Sequence, residues 1–203
     1  MDYFYNNSTT KEESVENIKK HRVVKEVYEW VDAIVIAIIA IILLFTFVFR
    51  VVGIKGESMQ NTLMNNDRVI ISNLFYTPKR GDVVVISRNY TNKAGDTNPD
   101  DSPIIKRVIA TEGQEITIDP QNGTVTVDGT VLDESYVKPG QVTTWGDGST
   151  EAKTVTVEKG HIFVMGDNRG NSLDSRSTEI GQVDTRYILG RAIFRIYPKL
   201  GGL

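Results

Sequence analysis

A long apolar run stands out in the first quarter of the chain. Residues 33–49 read AIVIAIIAIILLFTFVF, and all but one of them are apolar. A helix of this length spans roughly 25 Å, and an extension to Ile54, with Arg50 snorkelling, covers a hydrocarbon core of about 30 Å. We therefore predict a transmembrane anchor over residues 30–54, with Trp30 at one membrane interface. A buried core helix is the alternative.

The flanks of this run favour an uncleaved anchor over a signal peptide. About thirty residues precede the run, and no A-x-A-like site follows it. Four basic residues lie close before the run and two lie close after it: Lys19, Lys20, Arg22 and Lys25, then Arg50 and Lys55. The positive-inside rule then places residues 1–29 in the cytoplasm as a solvated tail and residues 55–203 outside the cell membrane. A short amphipathic helix over residues 11–29 is the alternative for the tail.

Beyond residue 55 the pattern changes to short β-like runs between turn residues. Asn122-Gly123, between two alternating runs, predicts a hairpin. No long helical period follows, so we predict a mainly β domain built as a coiled sheet or barrel. The predicted strands are residues 68–72, 82–87, 104–110, 115–118, 124–127, 154–157, 161–165 and 191–196. Two polar stretches, 89–102 and 140–153, are predicted loops, the second within a small β excursion at about residues 119–158.

Composition narrows the functional classes. A chain of 203 residues with 40% hydrophobic residues can bury a core, and a net charge of −3 offers no basic face for nucleic acid. There is no cysteine, which excludes disulfides, thiolate metal sites and cysteine nucleophiles. Of the two histidines, His21 precedes the anchor, so only His161 lies on the outer side of the membrane. Zinc catalysis is therefore disfavoured, and a Ser-His-Asp triad would have to use His161.

Three segments of the outer domain carry candidate chemistry. The stretch GESMQNTL after the anchor contains Ser58, which on its own is typical of a turn. Lys106 and Arg107 interrupt an apolar run, and strand alternation sends one of them inward. A buried lysine is costly unless it loses its proton or finds partners, whereas on an edge strand both residues would be solvated. The polar segment 166–176, GDNRGNSLDSR, is typical of a hydrogen-bonded loop, with a calcium loop as the weaker alternative.

These segments together resemble a bacterial type I signal peptidase of the single-span, Gram-positive kind. The matching motifs are ordered along about residues 30–197. They are Gly56-x-Ser58-Met59 after the anchor, Arg80-Gly81-Asp82-Val83-Val84, Lys106-Arg107, and Gly166-Asp167-Asn168 followed by Ser172-x-Asp174-Ser175-Arg176. Any one motif is weak, but four in order are specific.

The resemblance implies a membrane-bound serine endopeptidase with a β-rich Ser/Lys peptidase domain on the outer leaflet. Ser58 would be the nucleophile and neutral Lys106 the general base. Ser172 would hydrogen-bond Lys106 and orient it, and Asp174 and Arg176 would form a supporting ion pair. An apolar strand around Lys106 suits this chemistry, because desolvation disfavours the charged form of lysine and lowers its pKa.

The resemblance also implies the substrates. Met59 and Ile105 would wall a pocket for a small side chain, and the partners would be secretory preproteins and the lipid bilayer, with no cofactor, metal or nucleic acid. A catalytically silent, membrane-anchored homologue that acts as a binding or assembly module is the alternative. A self-cleaving Ser/Lys regulator shares the chemistry but would not need the anchor.

Three positions depart from the family pattern. Asn61 stands where many members have proline, which leaves the turn after the nucleophile less fixed in φ. Gly56 stands where Gram-negative members have a serine whose hydroxyl joins the oxyanion hole. The hole would then use the Ser58 backbone N–H plus a water or backbone donor. Gly170 replaces a common acidic residue.

Overall fold

The structure is a computed structural model that describes residues 6–87 and 103–202. It contains two compact units, Met1–Phe47 and Val48–Leu203. The first holds the long helix α1, Asn6–Phe47, and the second is mainly β. The predicted loop at 89–102 lies outside the described residues.

Helix α1 begins much earlier than the predicted anchor. Residues from Asn6 onward are helical, and this includes residues 11–29, for which a helix was the alternative to a solvated tail. The stretch Lys20–Thr46 is long and apolar enough to cross a membrane. The described side chains of this stretch are exposed.

The helix also ends earlier than predicted. It stops at Phe47, and the residues expected to extend the anchor to Ile54 form strand β1, Arg50–Gly53. The two valines of β1 pair with Ile70 and Val69 of strand β2, Arg68–Ser72. β-Branched residues suit a pleated ladder, and a partner strand is available here, so pairing replaces the helix.

The β unit consists of two antiparallel sheets. Besides β1 and β2, the larger sheet contains β3 (Val83–Ile86), β4 (Ile104–Thr111), β9 (His161–Met165), β10 (Val183–Asp184), β11 (Ile188–Tyr197) and β12 (Gly201–Gly202). Its order is β1-β2-β11-β3-β4-β9-β10, with β12 pairing with β11. The smaller sheet contains β5 (Glu115–Asp119), β6 (Thr124–Val127), β7 (Thr130–Val131) and β8 (Lys153–Thr156), in the order β7-β6-β5-β8.

The predicted mainly β fold with an N-terminal apolar helix is confirmed. Strands β2, β6 and β9 have the predicted bounds, whereas the short strands β7, β10 and β12 were not predicted. Within the described residues the larger sheet is open, with β1 and β10 at its edges, so the barrel alternative is wrong.

Apolar clusters fix the elements that carry the candidate residues. One cluster joins the two sheets, and in it Trp145 meets Phe163 edge-on with ring centroids 6.1 Å apart. A second cluster lies beneath the loop that follows β1 and holds Met59, Leu63 and Ile105. Burial of each such side chain stabilises the fold by about 1.5–3 kcal/mol. The loop bearing Ser58 is thus packed against the strand bearing Lys106.

Candidate active site

Strand β4 brings Lys106 to Ser58. Lys106 is only 4% exposed, and its Nζ lies 2.8 Å from Ser58 Oγ. Its neighbour Arg107 is also buried, so both residues are covered, one on each face of the strand, where the sequence predicted only one inward side chain. The edge-strand alternative is wrong, since β4 lies between β3 and β9.

Burial lowers the pKa of Lys106 from 10.5 to about 8. Desolvation is the main cause, and the charge of Arg176 acts in the same direction, while Asp174 and Asp167 oppose it. A lysine with this pKa is neutral in about a tenth of the molecules at pH 7, against roughly one in three thousand at the ordinary value. The neutral amine needed for a base is therefore accessible at physiological pH.

The loop that follows β1 and carries Ser58 is anchored on both sides of that residue. Met59 and Leu63 are fully buried, and the Leu63 N–H donates to the Met59 carbonyl at 2.9 Å. From the other side, Asn168 donates its backbone N–H to the Ser58 carbonyl at 2.9 Å and its side-chain amide to the Glu57 carbonyl at 3.1 Å. The backbone of Ser58 is thus held while its hydroxyl faces Lys106.

A buried ion pair that was not predicted from the sequence lies beside Ser58 and Lys106, which are called here the dyad. Arg107 binds Asp167 through Nε at 2.9 Å and Nη2 at 2.7 Å, and Thr62 Oγ1 donates to the same carboxylate at 2.5 Å. The ring centroid of Tyr136 lies 4.2 Å from the guanidinium carbon of Arg107. The sequence did contain a signal for this ion pair: Lys106 and Arg107 both interrupt one apolar strand, and a buried arginine requires an acidic partner.

The expected pair between Asp174 and Arg176 is present. Arg176 Nε lies 2.7 Å from Asp174 Oδ1, and the Gly166 N–H donates to Oδ2 at 2.9 Å. Burial works to raise the pKa of Asp174, but the hydrogen bond and charge of Arg176 outweigh it and hold the pKa below its usual value. With Asp167 and Asp174 each bound to an arginine, the loop offers no unpaired carboxylate for a calcium ion.

Ser172 lies beside the dyad, but the expected hydrogen bond to Lys106 is not formed. Its hydroxyl oxygen is buried and makes no hydrogen bond of ordinary geometry within the described residues, although it helps to lower the pKa of Asp174. A Cβ on Gly166 would lie 2.3 Å from Ser172 Oγ and 2.5 Å from the Ser58 carbonyl oxygen. Only glycine therefore lets these two chain segments approach so closely.

The remaining candidate residues fall into two groups. Met59 and Ile105 share the apolar cluster beneath the dyad. His161 lies at the far end of β9, about 16 Å from the segment that begins at Gly166, and its Nδ1 contacts the Lys159 carbonyl at 2.9 Å. The structure thus groups the lysine and the serine and leaves the histidine apart.

The backbone near Gly56 limits the choice of oxyanion donor. The Gly56 N–H donates to Asn65 Oδ1 at 3.0 Å, and the φ of +91° at Gly56 favours glycine over serine. The Gly56 N–H is therefore already engaged by Asn65.

Chemically, the arrangement places a serine hydroxyl next to a lysine amine. A hydroxyl within about 2.6–3.2 Å of a basic nitrogen can pass its proton to that nitrogen during attack on a carbonyl carbon. The base lies in a desolvated strand, and the serine loop is held by buried neighbours. These are the requirements for acyl transfer through a covalent intermediate.

Known proteins share this sequence pattern. The family model described as "Signal peptidase, peptidase S26" matches residues 27–197. "Signal peptidase I S" of Bacillus subtilis (strain 168) is 33% identical over 190 residues, which cover 90% of this chain and 94% of that protein. "Signal peptidase IB" of Staphylococcus aureus (strain COL) is 31% identical over 188 residues, covering 86% and 91%. A crystal structure of a signal peptidase I from Enterococcus faecalis V583 is 24% identical, with a TM-score of 0.43, covering 57% of this chain and 97% of that one.

Proposed function

Because the chain belongs to the signal peptidase family, peptidase S26, we propose that it is a membrane-bound serine endopeptidase that removes signal peptides from exported preproteins. Ser58 is the nucleophile and Lys106 is the general base. The observation that carries this assignment is the 2.8 Å approach of the buried Lys106 Nζ to Ser58 Oγ.

The proposed reaction has two halves. Neutral Lys106 takes the proton from Ser58 Oγ as that oxygen attacks the scissile carbonyl carbon, and the resulting ammonium then protonates the departing amine. The C–N bond breaks, and the signal peptide remains bound to Ser58 as an ester. Lys106, neutral again, takes a proton from the water that attacks the ester. As the ester C–O bond breaks, Lys106 returns this proton to Ser58 Oγ, and the signal peptide leaves with a free C-terminal carboxyl group. The Ser58 N–H is the backbone donor that we assign to the oxyanion.

The proposed pocket accepts only a small side chain. Met59 is 1% exposed and Ile105 6% exposed, and both belong to the cluster directly beneath the dyad. They stand next to Ser58 and Lys106 in the sequence, so we propose that they border the site for the residue before the scissile bond. The small size of that residue is what the family resemblance implies.

Cleavage of a secretory precursor by the purified full-length chain in detergent tests the proposed function. We expect one cut after a small residue, identified by the mass of the mature product. A matched precursor with a bulky residue at the same position should remain intact. A wild-type chain that binds the precursor but leaves it uncut would instead support the binding-module alternative.

The proposed topology has its own test. With the apolar run over residues 33–46 of α1 as the anchor and the basic residues before it inside, residues 55–203 face outward. Protease added to intact protoplasts should therefore digest the β unit and leave a short fragment that contains α1. Protection of the β unit, with loss of only the first residues of the chain, would contradict this orientation.

Ser172→Ala should lower kcat by about ten- to a hundredfold, less than loss of the nucleophile. We propose that Ser172 Oγ turns toward Lys106 when substrate binds, so its loss should cost one hydrogen bond, on the order of 1–3 kcal/mol of barrier. Steady-state kinetics on the precursor measure it, with Ser177→Ala as the control, because Ser177 Oγ only accepts from the Glu179 N–H at the surface. An unchanged kcat in Ser172→Ala would remove Ser172 from the site.

A further inference from the structure

Part of the chain between strands β7 and β8 of the smaller sheet contacts the loop over residues 166–176 of the candidate active site. Residues 134–146, between β7 and β8, are called here the strap. The strap bonds the loop 166–176 at several points: Lys138 N–H to the Asp167 carbonyl at 3.0 Å, Arg169 to Glu134 and Thr143 at 2.5 Å each, and Gly146 N–H to the Arg176 carbonyl at 3.1 Å. The strap therefore sets the position of that loop.

One side chain of the strap makes two specific contacts. Gln141 Nε2 donates to Asn168 Oδ1 at 2.6 Å, and Gln141 Oε1 accepts from the Gly170 N–H at 3.1 Å. The Gly170 contact fixes which end of the Gln141 amide carries the donor. That donor can therefore meet only the oxygen of the Asn168 amide, not its nitrogen.

Asn168, which Gln141 contacts, in turn contacts the loop that carries Ser58. With its Oδ1 held by Gln141, Asn168 presents its Nδ2 to the Glu57 carbonyl at 3.1 Å, and its backbone N–H holds the Ser58 carbonyl at 2.9 Å. A flipped Asn168 amide would place two oxygens against each other at Glu57 and two N–H groups against each other at Gln141. Each link thus enforces the next.

We propose that Gln141 is a positioning residue for Ser58: it orients Asn168, and Asn168 holds the carbonyls of residues 57 and 58 so that Ser58 Oγ meets Lys106. The proposal rests on the function proposed above. The strap, of which only residues 140–146 fall in the loop predicted from the sequence, thereby acts on the reaction without touching the substrate.

Two substitutions separate positioning from other effects. Gln141→Glu keeps the size of the side chain and an acceptor for the Gly170 N–H, but it sets a carboxylate oxygen against Asn168 Oδ1. Gln141→Met keeps the size and removes both polar groups without adding charge. The matched control is Gln182→Glu, because Gln182 also bridges two backbone groups, Glu158 N–H at 2.7 Å and the Thr156 carbonyl at 2.9 Å, away from the dyad.

The measurements are kcat, KM and the pH dependence of precursor cleavage, with rates normalised to the folded fraction. We expect kcat to fall about five- to tenfold in Gln141→Met and more in Gln141→Glu, with KM within about twofold of wild type. The acidic limb of the pH profile should stay in place, because Lys106 keeps its surroundings. Gln182→Glu should retain the wild-type kcat.

The outcomes are distinguishable from failure of the proposed function. A wild-type chain that does not cut the precursor refutes the proposed function itself. If wild type cuts and both Gln141 variants retain its normalised kcat, positioning by Gln141 is wrong. A limb that moves in Gln141→Glu, together with an unaffected Gln141→Met, would show that only the added charge acts and would also overturn the proposal.

Discussion

Replacing Ser58 by alanine is expected to abolish precursor cleavage, with kcat/KM lower by on the order of a thousandfold or more. The proposed reaction forms its covalent bond at Ser58 Oγ, and that oxygen lies 2.8 Å from Lys106 Nζ. Alanine removes the attacking atom while leaving the backbone contacts from Asn168 in place. Single-turnover cleavage with excess enzyme measures the loss of the chemical step.

The same variant should remain folded. Ser58 is half-buried and its hydroxyl contacts Lys106 Nζ, so its loss should change the free energy of unfolding by about 1 kcal/mol. Ser72→Ala is the matched control, because the Ser72 hydroxyl likewise has one contact, from the Leu74 N–H at 3.3 Å, at the end of β2. Near-wild-type cleavage by folded Ser58→Ala would refute the nucleophile assignment.

Lys106→Arg should be as inactive as Lys106→Met. Arginine retains a positive charge but cannot lose its proton in a protein, so it cannot act as a base. If Lys106 contributed only charge, Lys106→Arg would retain much of the activity. Lys106 is nearly buried, so the folded state of each variant is checked by its melting temperature, and Lys106→Met keeps the length of the stem.

Two control variants accompany the comparison of Lys106→Arg with Lys106→Met. Lys79→Arg changes an exposed lysine by the same chemistry and should cleave like wild type. His161→Ala should also remain active, because the ring of His161 contacts the Lys159 carbonyl rather than the dyad. An inactive His161→Ala beside an active Lys106→Arg would replace the Ser/Lys mechanism with a histidine-assisted one.

The sequence predicted those strands whose pattern is complete within a few residues. Strand β9 is bounded by a turn and by Gly166, and its apolar run matches its observed extent. Strand β1 could not be recognised, because its two valines continue the apolar run of α1. What makes them a strand is the pairing with β2, about twenty residues later, and a local pattern does not contain that pairing.

The site shows the same division. Ser58 and Lys106 were predicted from motifs, and the burial of Lys106 agrees with its place in an apolar strand. The link from Gln141 to Asn168 joins residues 27 positions apart, and that from Asn168 to Glu57 joins residues 111 positions apart. Polar contacts between loops depend on where the sheets place those loops, so a short stretch of sequence cannot predict them.

The pH dependence of kcat/KM for wild-type precursor cleavage tests the central claim most directly, because it reports the ionisation of the base in the free enzyme. Desolvation and Arg176 lower the pKa of Lys106 to about 8, against the opposing effect of Asp174 and Asp167. Since only neutral Lys106 can accept the proton, the rate should rise with pH and reach half its plateau near pH 8. A limb near 6.5, the ordinary value of histidine, that disappears in His161→Ala would contradict the Ser58–Lys106 mechanism.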